Sequence, residues 1–255
     1  MTKSYVITPA AGKRLIGKAV AAHAAIGEAL ESGTIVIIAG TTDGYVAEEI
    51  LRGLGEAGIF DRRRFFRGIT LPPGQPTTET GRLADERRFP GDVVIVQGVW
   101  QQGKTIADVA DALKEGDVVV KGANAVNLAQ RRAGILIGDP KGGTIALALQ
   151  ASMGRRVRLL ITAGLEKRVD ADLDTIAALL NAPGAKGPRF WPVAGEMVTE
   201  LEALSMLTGA RVELVAGGGV HGAEGSVWLA VSGNEEQERS AQMLLASVAC
   251  EPPFA

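Results

Sequence analysis

Hydrophobic positions along this chain change their period several times, and each change marks a strand or a helix. Residues 34–39, TIVIIA, form an almost unbroken apolar run, the pattern of a strand covered on both faces. Residues 92–97, 118–120 and 157–162 repeat it. Helical spacing of apolar residues occupies 46–54, 106–113 and 142–153, and also 8–31. In that last segment Leu15, Ile16, Val20, Ala24 and Leu30 share a face, Thr8 can cap, Pro9 suits the first turn and Gly33 follows the end. The spacing therefore predicts one long helix. Between 62 and 88 the signal is poor. A short strand near 65–69 gives way to LPPGQPTTETGR, whose prolines and threonines predict a loop that crosses the surface or closes as a lid. After a short helix closed by Pro183 and Gly184, the last quarter reads strand 189–193, helix 197–207, strand 211–216, glycine-rich turn, strand 226–231 and helix 235–246. That order predicts a small ferredoxin-like α+β layer over residues 185–255, packed on an α/β core over residues 1–184.

In a mostly parallel sheet the ligand crevice lies beyond the carboxyl ends of the strands. Residues 116–167 form a β-loop-α-β unit whose polar groups gather at that end: Lys121, Asn124, Asn127, Asp139 and Lys141, followed by Gly142, Gly143 and Thr144 at a helix start. The turn Gly40, Thr41, Thr42, Asp43, Gly44 carries small residues that let backbone N–H groups approach an anion at a helix N-terminus. It reads equally as an ordinary strand-to-helix turn capped by Thr or Asp. Two lysines and helix N-termini in one crevice predict an anionic ligand, phosphate or carboxylate. The alternative for Lys121 is an outward side chain paired with Asp139. Secondary candidates are Lys104, at a helix start, His221, in the glycine-rich turn GGGVHGAEG, and Glu196 and Glu224, each of which could supply a base if the small layer folds over the crevice. A solvated side chain is the plainer reading of each.

Residues 98–105, GVWQQGKT, match the P-loop spacing G-x-x-x-x-G-K-T between a strand and a helix. Trp100, Gln101 and Gln102 stand where small residues usually let the backbone wrap phosphates, and no later strand ends in a convincing Mg²⁺-binding aspartate. A P-loop nucleotide hydrolase is thus the alternative reading, and a plain strand-to-helix turn the expected one.

Composition narrows the classes further. With 255 residues, 46% hydrophobic, 33 glycines and only 4% aromatics, the chain fits a compact α/β protein. A formal charge of −2 implies no large basic face, so neither nucleic acid nor an anionic membrane is an expected partner. The single cysteine, Cys250, excludes an intramolecular disulfide and a cysteine-based zinc site, and no metal or cofactor is expected. Lys and Arg interrupt the first twenty residues, and no apolar run approaches the ~20 residues of a membrane span, so the expectation is a soluble, cytoplasmic protein. Homo-oligomer formation stays open.

Three segments give the chain a resemblance to ribose-5-phosphate isomerase A, in the superfamily of glucosamine-6-phosphate deaminase, methylthioribose-1-phosphate isomerase and CoA transferases. GTIVIIAGTTDGYVAEEI resembles the family's GTIVG strand and phosphate-binding turn. GANAVN, DPKGGTIALALQAS and RLLITAGLEK are similar, in order, to its DGADEIN, KGGGAALTREK and strand-ending aspartate or lysine segments. FWPVAGEMVTELEALSMLTGARVELVAGGG is similar to its appended β-α-β layer. The resemblance implies a Rossmann-like core of that type and a sugar-phosphate crevice. It also implies altered chemistry, because the family's two catalytic-loop aspartates fall on Lys121 and Asn124 and its general-base glutamate on Gln150, while its lysine is kept as Lys141. An amide cannot take a proton from carbon beside a carbonyl. What remains implied is binding, with or without an enzymatic step, of a phosphorylated or other anionic small molecule, and not ribose-5-phosphate isomerisation.

Overall fold

The apolar runs become the strands of one central sheet. In the computed structural model, which describes residues 2–67 and 89–254, the chain runs β1 (Thr2–Ile7), α1 (Pro9–Ala21), α2 (Ala24–Ser32), β2 (Thr34–Ile37), α3 (Thr41–Gly53), β3 (Val93–Val96), β4 (Val99–Trp100) and α4 (Ile106–Val109). It continues through β5 (Val118–Gly122), β6 (Ala125–Asn127), β7 (Arg132–Ile137), α5 (Gly143–Arg155), β8 (Arg158–Thr162) and α6 (Leu173–Leu180). The last elements are β9 (Arg189–Val193), β10 (Glu196–Val198), α7 (Glu200–Thr208), β11 (Arg211–Gly217), β12 (Val227–Ser232) and α8 (Glu235–Val248).

Six strands form the main sheet in the order β10-β8-β5-β2-β3-β4. The first four are parallel, β3 runs antiparallel to β2, and β4 folds back on β3. Alternate residues feed two cores, because successive side chains point to opposite faces. Ile35, Ile37, Val118, Val120 and Leu160 join Leu15, Ile16, Val46 and Leu51 of α1 and α3 on one face. Val36, Val119, Leu159 and Ile161 join Ile106, Ile145 and Ala148 of α4 and α5 on the other. Two small antiparallel sheets flank this core, β1-β12-β11 and β6-β7-β9. No helix among the described residues is long and apolar enough to cross a membrane.

Several expectations change. The helix over 8–31 is two helices: His23 turns extended, with φ −68° and ψ 133°, and its Nδ1 accepts the Ala25 N–H at 3.1 Å, which ends one helix and caps the next. The turn at 40–44 is the first turn of α3, with Gly40 as its N-cap. β1 was not expected; it pairs with β12, Ile7 opposite Val227. The strand at 132–137 belongs to a small sheet and not to the parallel one, so residues 139–144 do not follow a strand of the main sheet. Beyond residue 185 the chain supplies β9 to one small sheet, β10 to the main sheet, and β11 and β12 to the other, so sheet membership crosses the expected boundary at 184–185. The predicted loop LPPGQPTTETGR lies outside the described residues.

Candidate functional site

All four parallel strands deliver polar groups at one edge of the sheet, and a single carboxylate ties three of them. Asp43, fully buried in the first turn of α3, accepts the Gly122 N–H at 2.6 Å and the Thr162 hydroxyl at 2.5 Å, at the ends of β5 and β8. It fits only because two neighbours lack side chains. A Cβ on Gly40 would stand 2.9 Å from its Oδ2, and one on Gly122 3.0 Å. Burial raises the Asp43 pKa, against the lowering pull of Lys121, Thr162, Gly122 and Lys167. Since β3 is antiparallel, its first residues come to the same edge. There the buried Asp92 accepts the N–H groups of Ala39 (2.9 Å) and Ile106 (2.8 Å) and an Arg67 guanidinium N–H (2.6 Å).

Two lysines sit among these groups. The Lys121 Nζ donates to the Gly122 carbonyl and the Lys167 Nζ to the Ala123 carbonyl, each at 3.0 Å. An ammonium can donate three hydrogen bonds, and one is made in each case. Among the described residues neither amine is in salt-bridge contact with a carboxylate, although Asp43 acts on both through space. Burial lowers both pKa values; Asp43 opposes this at Lys121 while Lys167 and Arg67 add to it, and Glu166 opposes it at Lys167 while Lys13 adds to it.

A second pair of carboxyls continues the cluster toward β10. Glu200, 1% exposed at the start of α7, accepts the Leu165 N–H at 2.9 Å. Burial, then the nearby Glu166, raises its pKa to about 8. Glu166 pairs with Lys13 of α1 at 3.4 Å through Oε1, while its Oε2 is buried without a hydrogen-bond partner. Glycine again makes room, since a Cβ on Gly12 would lie 2.3 Å from Glu200 Oε1 and one on Gly164 1.9 Å from Glu166 Oε2. The loop between β11 and β12 borders this corner, with Gly225 against Pro9 and Glu166.

Of the residues singled out from sequence, the structure brings Asp43 and Lys121 within electrostatic reach of each other, with Gly40 beside Asp43. Thr42 is 1% exposed with its hydroxyl unpartnered, and Thr41 is half-buried. Asn124 and Asn127 serve the β6–β7 hairpin instead. Asn124 Oδ1 accepts the Leu136 N–H at 2.9 Å, and Asn127 accepts from the Gln130 N–H at 2.9 Å while donating to the Ala171 carbonyl at 3.1 Å. Lys141 is exposed. Its backbone N–H bonds Asp139, and no hydrogen bond or ion pair among the described residues joins it, or Gly142, Gly143 and Thr144, to the Asp43 cluster. Lys121 does not reach Asp139 either. Glu196 lies at the amino end of β10, opposite the cluster, paired with His23 at 2.8 Å and Arg158 at 3.0 Å. His221 is exposed in the loop that borders Glu166.

Lys104 is exposed, and GVWQQGKT is not the single strand-to-helix turn expected: Gln97 and Gly98 make a hairpin turn, Val99 and Trp100 form β4, and Thr105 caps α4 with Asp108. Sequence reasoning missed Lys167, Thr162, Glu166, Glu200, Lys13, Asp92 and Arg67 as site residues. For Lys167 and Thr162 the strand-end rule applied to RLLITAGLEK was signal enough. Among the described residues no three His, Cys, Asp or Glu side chains gather as a metal site. No known family and no curated protein matches this chain in sequence.

Proposed function

We propose that the crevice at the carboxyl ends of β2, β5 and β8 binds an anionic small molecule, phosphorylated or carboxylated, through Lys121 and Lys167. The observation that carries this reading is the pair of part-buried amines, each with one backbone carbonyl as its partner and neither in contact with a carboxylate. Leaving a cation unpaired away from water is costly, and a ligand anion removes that cost. Asp43 already complements the dipole of α3, which leaves the lysines as the main attraction. The Gly40–Asp43 turn and Lys121 end neighbouring parallel strands, and this supports reading the core as Rossmann-like, of the sugar-phosphate isomerase type. Ribose-5-phosphate isomerisation is not part of the proposal: Gln150 is exposed on α5 and Asn124 is bound to backbone, so no base stands where that chemistry needs one.

Thermal unfolding in inorganic phosphate, against chloride of equal ionic strength, tests the reading. Phosphate at a hundred times its dissociation constant stabilises by about 2.7 kcal/mol. Lys121→Met and Lys167→Met should each abolish most of that gain without destabilising the unliganded protein, because each removes a charge that no carboxylate contacts. Equal unfolding temperatures in phosphate and chloride would end the proposal.

A further inference from the structure

At β10 the main sheet ends on an open groove. β10 pairs with β8 on one side and with no described strand on the other. Along a strand the N–H and C=O of one residue point to one neighbour and those of the next residue to the other. The Val198 C=O accepts the Ala163 N–H at 3.2 Å, so Val198 faces β8 and Met197 turns its N–H and C=O outward. No hydrogen bond among the described residues meets either group. A groove of about 720 Å³ runs past Met197, lined also by Leu201 and Met206 of α7 and by Leu128 and Arg131 of the β6–β7 turn. Leu128 packs against both cores of the main sheet, which places it beyond the edge and not on either face.

The charges lining this groove are engaged except for one. Glu196 is held by His23 and Arg158, Glu202 by Thr199 in the cap of α7, and Arg211 by Glu213. The exposed Arg131 side chain makes no hydrogen bond or ion pair among the described residues. Its backbone is left-handed, with φ 51°, and its N–H bonds the Leu128 carbonyl at 3.3 Å, so a tight turn carries the guanidinium.

We propose that the groove takes an extended peptide segment of a partner protein, which adds a strand to β10 and pairs an acidic side chain with Arg131. A purely apolar ligand would cover the Met197 N–H and C=O without replacing their water, and a helix would do the same because its own backbone groups bond internally. An extended strand satisfies both. Since β10 has only three residues, it offers one such pair of bonds. Apolar side chains of the peptide, packed on Leu128, Leu201 and Met206, supply the remaining contact, and Arg131 supplies the charge preference.

The test uses the full chain, isotope-labelled at its methionine methyl groups. Met197 and Met206 line the groove, while Met153 and Met243, exposed elsewhere, serve as internal references. The probes are blocked hexapeptides of alternating valine and threonine, each with one glutamate at a different position, at millimolar concentration. At least one should shift the Met197 and Met206 signals saturably and leave the references in place. Replacing its glutamate by glutamine should weaken binding roughly tenfold, the worth of one charge-assisted contact. Arg131→Gln should abolish that difference and leave the affinity for the glutamine peptide unchanged. N-methylation should abolish binding at the backbone position that faces Met197 and be tolerated at the two adjoining ones. Hexapeptides that leave both signals unmoved overturn the inference. Binding that survives N-methylation at every position also overturns it, because side chains alone would then hold the peptide. Octanoate shifting the same two methyls more strongly than any peptide would assign the groove to a small amphipathic acid instead.

Discussion

Adjacent residues of α1 reach into two different charged clusters. Arg14, 7% exposed, bonds Glu49 at 2.8 Å, Glu251 at 2.9 Å and Glu48, while Arg62 bonds Glu251 at 2.9 Å and Arg52 bonds Glu49 at 2.7 Å. The guanidinium carbons of Arg14 and Arg62 lie over the Tyr45 ring, at 4.8 and 4.5 Å. Every one of these carboxylates meets an arginine, and the network clamps the C-terminal segment to α1 and α3. Lys13, one residue earlier, points to Glu166 and the strand-end cluster, where among the described residues Lys121 and Lys167 lack carboxylate contacts and Glu166 keeps a buried oxygen without a donor. A saturated cluster holds a fold together; the unsaturated one is what the proposed function takes for a ligand site.

Arg14→Met should produce the largest loss, because it takes from Glu48, Glu49 and Glu251 the most buried arginine they share and leaves them, among the described residues, only Arg52 and Arg62. Breaking a buried pair from one side costs about 3–5 kcal/mol, readable as a fall in the urea midpoint with an unchanged slope. The effect should be independent of phosphate. A loss under ~1 kcal/mol would show that the network behaves like an exposed surface pair and would remove the contrast.

Glu200→Gln should act with the opposite sign. The folded-state pKa of Glu200, about 8, lies above its unfolded value, so its contribution to stability is whole below roughly pH 4.3 and is lost as pH rises toward 8. In that window the wild-type chain loses up to about 1.4 kcal/mol per pH unit relative to the glutamine variant. Glutamine can still accept the Leu165 N–H, so the variant should be the more stable protein by several kcal/mol, on the order of 5, near pH 8. Parallel stability curves for the two proteins from pH 5 to 8 would show that Glu200 is ionised in the fold and that the crevice is not strained by its carboxyls.

The contrast also explains what could be read in advance. Strands β2, β3, β5 and β8 were legible because a strand covered on both faces is apolar throughout; Lys121 was singled out by the strand-end rule and Asp43 by its small-residue turn. β1 was not, since five of its six residues are not fully buried and its partner lies more than two hundred residues away. The break at His23 carries no Gly or Pro. Glu200 reads as an ordinary first-turn acid in the capping sequence TELE, and Lys13 as a surface lysine of a helix. Only tertiary packing brings them to Glu166. A trace was present even so: a glycine within a helix costs about 0.5–1 kcal/mol relative to alanine, and Gly12 is retained in α1 where a Cβ would collide with Glu200.

A third charged group calibrates the other two from the weak side. Glu196, 43% exposed in its side chain, bonds His23 and Arg158 at the opposite end of the sheet. Burial pushes its pKa up, and the His23 and Arg158 bonds together outweigh that and lower it. The stability it contributes is therefore present above the unfolded pKa of about 4.3 and disappears as pH falls through the lowered folded value. Solvent screens so exposed a pair, and Glu196→Gln should cost no more than about 0–1 kcal/mol at pH 7. That difference should shrink on acidification, as the wild-type carboxyl takes up its own proton. Because β10 carries Glu196 at its amino end and leads to Glu200 at its carboxyl end, the substitution also separates strand integrity from site chemistry. The phosphate-induced rise in unfolding temperature should be the same with and without it. A lost phosphate effect in Glu196→Gln would mean that the ligand sits at the amino ends of the strands, and Lys121 and Lys167 would then be structural.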